Sequence, residues 1–408
     1  MVKCMLLEFC VKNFLSLKDE AKLSFIASTL KESLQEENDL INELAIGLSV
    51  LRSAVIYGAN ASGKSNVLKA LSFYKRFITD SFINSQAGKL IDVEGFRLNT
   101  QTENEPTTME ATFIVGDFIY RFGFEVDRKS VREEWLYQRA NRKRAKEVEL
   151  FYRENGVVSV HSKCPLIQEI VDRKMIRDNA LVLSTAAQFN DPKSVDILNW
   201  LSDTQVLFCS EDEHLWEQAI RHLDDDGVRE RITEFARYAD LGIDSILKID
   251  NKIISSHRQF DEEGRESGNV SFPFNKNESE GTIKYFSLAY PIIDALDNGK
   301  RVIIDELDSK LHPLLVRKII MLFNSSKTNP KGAQLLFTTH DTYLLGAGLL
   351  RRDQVWFTQK NGLGATSLYS LAEYKVRSNA AFDRDYINGR YGATPIIGEM
   401  ERVFERNR

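Results

Sequence analysis

The sequence GANASGKS, residues 58–65, fits the G-x-x-x-x-G-K-[ST] pattern of a phosphate-binding loop. An apolar, β-prone run precedes it at residues 54–57, and apolar residues at helical spacing follow it at residues 67–71. A strand, a loop and a helix in this order form the setting in which the pattern binds phosphate. The sequence therefore predicts a nucleotide site in an α/β fold.

The residue types of this loop account for its chemistry. Gly58 and Gly63 let the backbone approach a phosphate without a Cβ in the way, and N–H groups at the start of the next helix attract the anion. Lys64 is expected to reach the β- and γ-phosphates, and Ser65 to coordinate Mg²⁺. The alternative is a glycine-rich turn that binds nothing. The nucleotide-binding residues predicted for the loop are Gly58, Asn60, Ser62, Gly63, Lys64, Ser65 and Asn66.

The composition is that of an ordinary globular protein. The 408 residues can hold two or three domains, or one core with a large insertion. The net charge of −5 gives no general signal for polyanion binding, so a nucleic-acid contact would need a local patch or a partner. Four scattered cysteines argue for reduced thiols rather than a zinc site or disulfides. No signal-peptide core or membrane-length apolar run occurs, so we expect a soluble, cytoplasmic protein without membrane contact.

The patterning predicts three parts. Residues 1–90 predict short strands, the loop and a helix to about residue 83. Residues 91–275 predict hairpins turning at 116–117 and 155–156, helices over 165–240, and strands at 245–254 and 270–274. Residues 276–408 alternate strands with helices. Between the hairpins lies a basic run, which is either a solvated face or a local nucleic-acid contact: Arg139, Arg142, Lys143, Arg144 and Lys146.

Paired carboxylates follow the apolar strand predicted at residues 301–304. In P-loop enzymes an aspartate at this place holds Mg²⁺, and the adjacent glutamate polarises the attacking water. Asp305 and Glu306 are therefore predicted for these roles. A helix-capping turn is the alternative, and the upstream phosphate loop favours the catalytic interpretation.

Two further positions carry weaker signals. His340 follows another apolar strand, and the ends of parallel strands are where open α/β sheets build their sites, so we expect it to sense the γ-phosphate. A lone histidine is, however, more often structural. Ser279 and Gly281 open a predicted helix, whose N-terminus can bind an anion.

Together these motifs resemble the ATP-binding cassette (ABC) ATPases, in the soluble branch with SMC proteins, RecF and OLD-type nucleases. Residues 279–282 resemble the signature motif of that family, Asp305-Glu306 its Walker B pair, residues 307–309 its D-loop, and His340 its switch histidine. Residues 11–20 are similar to the first strands of that branch. The implied fold is α/β: an ABC-type P-loop NTPase head, a mixed sheet with flanking helices, with a compact α+β insertion and no long coiled coil.

A finer resemblance is to compact bacterial abortive-infection ATPases of the AbiL or RloA-like kind. It rests on residues 57–66, 305–313 and 388–393, and covers the two ends of the chain better than the middle. The sequence departs from the wider family in two ways. The long coiled coil of SMC-like members has no counterpart here, and the Q-loop glutamine has three candidates without a convincing context: Gln101, Gln138 and Gln188.

The resemblance implies a homodimer, or a higher oligomer, whose heads enclose two ATP molecules with Mg²⁺. Ser279 and Gly281 of one chain would contact the γ-phosphate held by Lys64 and Ser65 of the other. Asp308 would link the two sites. Ser65 and Asp305 would hold the metal, and Glu306 and His340 would be catalytic.

The resemblance also implies a switch that hydrolyses ATP to control an effector, a RloB-type protein or another nuclease or toxin encoded nearby, in anti-phage defence. One alternative is an ATP-dependent clamp in DNA repair or recombination, which would bind DNA with a steep salt dependence, through residues 139–146. Another is a scaffold that holds nucleotide without hydrolysis, which the intact Asp305-Glu306 pair disfavours.

Overall fold

The computed structural model describes residues 4–30, 44–84, 86, 88–208, 212–238, 242–249, 252–377, 380–395 and 398. Over these residues no helix combines the length and apolarity needed to span a bilayer. A six-stranded sheet, parallel except for one edge strand, carries the phosphate loop. In spatial order its strands are β16 (Thr366–Ser370), β15 (Val355–Lys360), β3 (Ser53–Gly58), β14 (Gln334–Thr338), β13 (Arg301–Ile304) and β9 (Thr204–Leu207).

The two faces of this sheet pack against different layers, because successive side chains of a strand point to opposite faces. In β3, Ala54 and Ile56 join one hydrophobic cluster, and Val55 and Tyr57 join the other. The first cluster includes α1 (Lys64–Asn84), and the second includes α8 (Glu280–Asn298) and α9 (Pro313–Asn324). Helices on both faces of a largely parallel sheet confirm the predicted α/β fold with a mixed sheet and flanking helices.

A seven-stranded antiparallel sheet shares the first cluster. The predicted hairpins are confirmed, because Val115 lies opposite Phe118 and Glu154 opposite Val157. The N-terminal strand β1 pairs with β4 of the first hairpin, so hydrogen bonds cross the predicted boundary at residue 90. The division into residues 1–90, 91–275 and 276–408 stays a prediction. The strands in spatial order are β2 (Ala21–Ser24), β1 (Cys4–Lys12), β4 (Thr107–Val115), β5 (Phe118–Val126), β6 (Val131–Ala140), β7 (Val148–Glu154) and β8 (Val157–Val160).

Residues 165–240 were predicted to be helical, and most of the described residues in this range are in helices. Strand β9 interrupts it and adds to the parallel sheet beside β13, which the sequence pattern did not predict. This strand has only four residues, two of them polar, so it shows little periodicity of its own. The helices are α2 (Pro165–Asp172), α3 (Val182–Gln188), α4 (Pro192–Ser202), α5 (Asp212–His222) and α6 (Asp226–Tyr238).

A three-stranded antiparallel sheet precedes α8. Its strands are β10 (Ile243–Ile249), β11 (Lys252–Phe260) and β12 (Glu266–Pro273). The prediction of one strand over 245–254 is wrong, because two antiparallel strands share this range and Ile249 lies opposite Lys252. The sequence Asp-Asn at 250–251 is a signal that could have separated the two strands. The remaining short helices are α7 (Phe274–Asn277), α10 (Tyr343–Gly346) and α11 (Phe382–Ile387).

Candidate functional site

The loop between β3 and α1 is built around two glycines that tolerate no side chain. A Cβ on Gly58 would lie 2.4 Å from both Ser62 Oγ and Thr358 Oγ1. Gly63 has a φ of +110°, and a Cβ there would lie 2.4 Å from Thr366 Oγ1. The loop therefore passes so close to β15 and β16 that only glycine fits at either position.

Lys64 begins α1 and is only 6% exposed. Its Nζ donates hydrogen bonds to the carbonyls of Gly58 (2.9 Å) and Ala59 (3.2 Å). Burial lowers the pKa of Lys64, while the carboxylates of Glu306, Asp305 and Asp308 oppose the decrease. The Lys64 ammonium group therefore lies against the backbone of its own loop, close enough to these three carboxylates for their charges to act on it.

A network of hydroxyl groups supports the loop from behind. Ser62 Oγ lies 2.7 Å from Thr358 Oγ1 of β15. Thr366 Oγ1 of β16 lies 2.8 Å from both the Ser62 carbonyl and Ser16 Oγ, and Asn66 Nδ2 donates to Ser16 Oγ at 2.6 Å. Ser16, Thr358 and Thr366 were not predicted as site residues, although Ser16 lies within residues 11–20, which carried part of the resemblance.

The predicted carboxylate pair lies where β13 and β14 end side by side. Thr338 links its two members: the Thr338 hydroxyl donates to Asp305 Oδ1 at 2.7 Å and accepts from the Glu306 N–H at 2.7 Å. Glu306 has a φ of 51°, the left-handed region that few non-glycine residues adopt. Strained backbone of this kind is concentrated at functional sites. Here it sets the direction of the Glu306 side chain as the chain leaves the strand.

His340 follows β14, and its backbone N–H donates a hydrogen bond to Asp308 Oδ2 at 3.1 Å. Desolvation lowers the pKa of His340, and the charge of Lys64 lowers it further. The lowered pKa favours the neutral imidazole, which can exchange hydrogen bonds with a phosphate. The other carboxylate oxygen, Asp308 Oδ1, is buried without a hydrogen-bond partner among the described residues. It offers an acceptor to a bound or neighbouring group.

The predicted signature segment occupies a separate position. Ser279 caps α8: its Oγ accepts from the Thr282 N–H at 3.1 Å. A Cβ on Gly281 would lie 2.6 Å from the carbonyl of Lys310, and Glu280 forms a 3.6 Å ion pair with the Lys310 side chain. This segment therefore packs beside the chain that follows Asp308.

The Q-loop candidates lie in three different settings. Gln138 of β6 donates to the hydroxyl of Tyr120 at 2.8 Å, so its amide is engaged within the antiparallel sheet. Gln101 is exposed beside a short helical turn, and Gln188 is exposed at the end of α3. Neither setting identifies a phosphate or metal contact.

The residues present fit a nucleotide with Mg²⁺. The backbone cradle at Gly58 and Gly63 has no room for a side chain, and the Ser65 hydroxyl and the Asp305 carboxylate are the hard oxygen donors that Mg²⁺ prefers. In the part of the chain that the structure describes, no group of three or more His, Cys, Asp or Glu residues could hold a metal ion by itself.

A phosphate loop, strand-end carboxylates and a histidine at one end of a parallel sheet define a P-loop ATPase. The family described as "AAA domain, putative AbiEii toxin, Type IV TA system" matches residues 53–159 and 185–346, more than half of the chain. The chain belongs to this family. The predicted recognition of the chain as a P-loop ATPase is confirmed.

The fold is also similar to several solved structures. The SMC head domain from Thermotoga maritima is 16% identical, with 90% of this chain and 98% of that chain covered and a TM-score of 0.38. The recombination mediator RecF with ATPrS is 14% identical, with 90% and 98% covered and a TM-score of 0.32. An SMC head bound to the C-terminal winged-helix domain of ScpA is 12% identical, with 90% and 97% covered and a TM-score of 0.35. No curated protein matches the sequence.

Proposed function

We propose that this protein is a switch ATPase that binds and hydrolyses ATP. One observation carries the proposal: the phosphate loop with Lys64 follows β3, His340 follows the neighbouring parallel strand β14, and Asp305 and Glu306 follow β13 beside it. Residues far apart in the sequence thus supply a phosphate-binding amine, a metal ligand and a base to one place. The residues that would hold the nucleotide are Gly58, Asn60, Ser62, Gly63, Lys64, Ser65 and Asn66.

Each strand-end residue has a distinct role in this proposal. Asp305, oriented by Thr338, holds Mg²⁺ together with Ser65. The metal supplies charge neutralisation on the β- and γ-phosphates when bound. Glu306 takes a proton from the attacking water as general base, and neutral His340 forms a hydrogen bond with the transferred phosphoryl group.

We further propose that the working unit is a homodimer closed by ATP. This is supported by the position of Ser279 and Gly281, which contact Thr282 and Lys310 and leave the N-terminus of α8 for a second subunit. A γ-phosphate contacts both surfaces only in the closed dimer, so ATP favours that state. Hydrolysis removes these contacts. Asp308, with its unpaired oxygen, is the residue proposed to link the two sites.

The proposed output is control of an effector protein in anti-phage defence by abortive infection. The family description, which names a putative toxin of a type IV toxin–antitoxin system, supports this assignment. The effector would be a nuclease or toxin encoded nearby, such as a RloB-type protein. The chain would then act as a sensor that reports its nucleotide state to that partner.

Replacement of Glu306 by glutamine tests the proposal. We expect Glu306→Gln to bind ATP–Mg²⁺ as the wild type does, to hydrolyse it about 100-fold or more slowly, and to accumulate as a dimer in native mass measurements. Glu262→Gln, an exposed carboxylate between β11 and β12, is the matched control and should retain wild-type turnover. Unchanged turnover in Glu306→Gln would exclude Glu306 as the base, and a monomer that ignores ATP would exclude the dimer.

A DNA clamp is the second candidate, on one specific observation. Arg142, Lys143, Arg144 and Lys146 are all exposed between β6 and β7, so this turn presents concentrated positive charge on an acidic protein. Phosphate contacts release counterions and make binding strongly salt-dependent. DNA affinity that requires ATP and falls steeply with salt would favour this candidate over the defence switch.

A further inference from the structure

A buried carboxylate lies immediately before the signature segment. Glu278 Oε1 accepts hydrogen bonds from Ser255 Oγ at 2.5 Å and from the His257 ring at 2.7 Å. The Glu278 side chain is 9% exposed, and Ser255 is fully buried. Both donors belong to β11, the central strand of the three-stranded sheet. Two hydrogen bonds therefore connect this sheet to the residue that precedes Ser279.

These hydrogen bonds lie at the junction between α7 and α8. Glu278 ends the single turn of α7, and Ser279 caps α8 directly after it. On the other side, Gly281 fits closely against the Lys310 carbonyl. A movement of Glu278 would therefore change the direction in which Ser279 and the first N–H groups of α8 are presented.

We propose that Glu278 is a positioning residue for the signature segment, and that through it the three-stranded sheet sets how readily two subunits close on ATP. The inference rests on the proposed function, because it assumes that Ser279 and Gly281 bind the nucleotide of the other subunit. It adds a role for Glu278, Ser255 and His257, and it makes β10–β12 an element through which a partner can act on the switch.

The test separates nucleotide binding from closure. In the Glu306→Gln background, the affinity of the monomer for a fluorescent ATP analogue reports the phosphate loop, and the ATP-dependent dimer fraction reports the signature segment. We expect Glu278→Ala to weaken dimerisation about tenfold, the effect of losing hydrogen bonds to a charged group. The affinity of the monomer for the analogue should stay within about twofold of the parent.

Conservative variants distinguish positioning from a general folding defect. Both donors bond to the same oxygen of Glu278, so Glu278→Gln retains an acceptor there and should dimerise far better than Glu278→Ala. Ser255→Ala removes one donor and should give an intermediate loss. Glu266→Gln, an exposed residue of β12, is the control on the same sheet and should behave as the parent.

Hydrogen exchange at the Thr282 amide, which is bonded to Ser279 Oγ, provides a second readout that does not need a dimer. Faster exchange in Glu278→Ala than in Glu278→Gln is the expected result. If the Glu306→Gln protein never dimerises with ATP, the proposed function fails, and the exchange rates still decide whether Glu278 positions the segment. Equal dimerisation and equal exchange in all variants, or a parallel loss of nucleotide affinity, would overturn the inference.

Discussion

At the residue scale, Thr366 supports the phosphate loop without belonging to its motif. Its hydroxyl donates to the Ser62 carbonyl, and its side chain fills the space beside Gly63. Thr366→Val keeps the shape but removes the donor, so the loop loses preorganisation for phosphate. The loss of one hydrogen bond, about 1 kcal/mol, corresponds to about fivefold weaker ATP binding. Thr366→Ser should retain wild-type affinity, and equal titration curves for the valine and wild-type proteins would contradict the role.

The same residues show what a local pattern can predict. The phosphate loop, the Asp305–Glu306 pair and His340 each follow an apolar strand, so their positions were predictable from short stretches of sequence. Thr366 was not, because its partner Ser62 lies 304 residues earlier in the chain. A single threonine in a strand has no distinguishing pattern, and only the fold brings its hydroxyl to the loop.

At the scale of elements, a buried glutamate joins the antiparallel sheet to α3. Glu134 of β6 is fully buried and accepts the N–H groups of Val182 (2.7 Å) and Leu183 (3.0 Å) at the start of that helix. Ser184 of α3 in turn donates to the carbonyl of Ile78 at 2.5 Å, in the helix that begins at the phosphate loop. Glu134 therefore links the antiparallel sheet with α1 through α3.

We expect Glu134→Gln to lower the free energy of unfolding by about 1–3 kcal/mol. The amide nitrogen of glutamine cannot accept a hydrogen bond, so one of the two buried N–H groups loses its acceptor. Denaturant unfolding at neutral pH measures the change. Glu154→Gln on the exposed side of β7 is the control and should be within about 0.5 kcal/mol of the wild type.

The stability difference between Glu134→Gln and the wild type should also depend on pH. Burial raises the pKa of Glu134 from 4.5 to about 7, against the opposing charge of Arg153. The folded protein therefore keeps this proton where the unfolded chain has lost it, and the contribution of Glu134 to stability falls as pH rises from about 4.5 to about 7. Glutamine has no such titration, so the difference should narrow from about pH 5 to about pH 8. A difference that stays constant over this range would show that the buried carboxylate is ionised throughout, as it is in the unfolded chain.

Element predictions succeeded where the pattern was local and strong. The hairpin of β4 and β5 was predictable from alternating apolar residues around Gly116, which has a φ of 60°. Strand β9 was not, because four residues next to a helix give little periodicity and gain their order from pairing with β13. Strands β10 and β11 were predicted as one strand because the polar segment between them, Asp250-Asn251, is only two residues long.

At the scale of the whole molecule, strands that are far apart in the sequence pair within the antiparallel sheet. Strand β1 pairs with β4 across about a hundred residues, so the N-terminal segment, the hairpins and α1 share one core. Loop closure over such a distance costs little more than over a short one, and no local pattern indicates which strand is chosen. The resemblance to an ABC-type head predicted the fold class, while the partition into an insertion and two flanking parts rests on the patterning alone and stays a prediction.

Complementation between subunits tests the arrangement of the whole molecule. If each site combines the loop of one chain with the signature segment of the other, Lys64→Ala and Ser279→Arg are each inactive alone. A mixed dimer then contains one intact site, because an isologous interface exchanges the same two surfaces. An equal mixture should recover about a quarter of the wild-type ATPase activity, since half of the dimers are mixed and each has one working site.

The matched control for complementation uses two variants with defects in the same half of the site. In a mixture of Lys64→Ala with Glu306→Gln, each chain carries a defect in the half of the site that contains the phosphate loop. Neither site of a mixed dimer is intact, so no activity should return. Recovery in the first mixture but not in the second requires Ser279 to act on the nucleotide of its partner. Absence of recovery in both would mean that Ser279 and Lys64 act within the same subunit, and ATP would then have to act on each subunit alone.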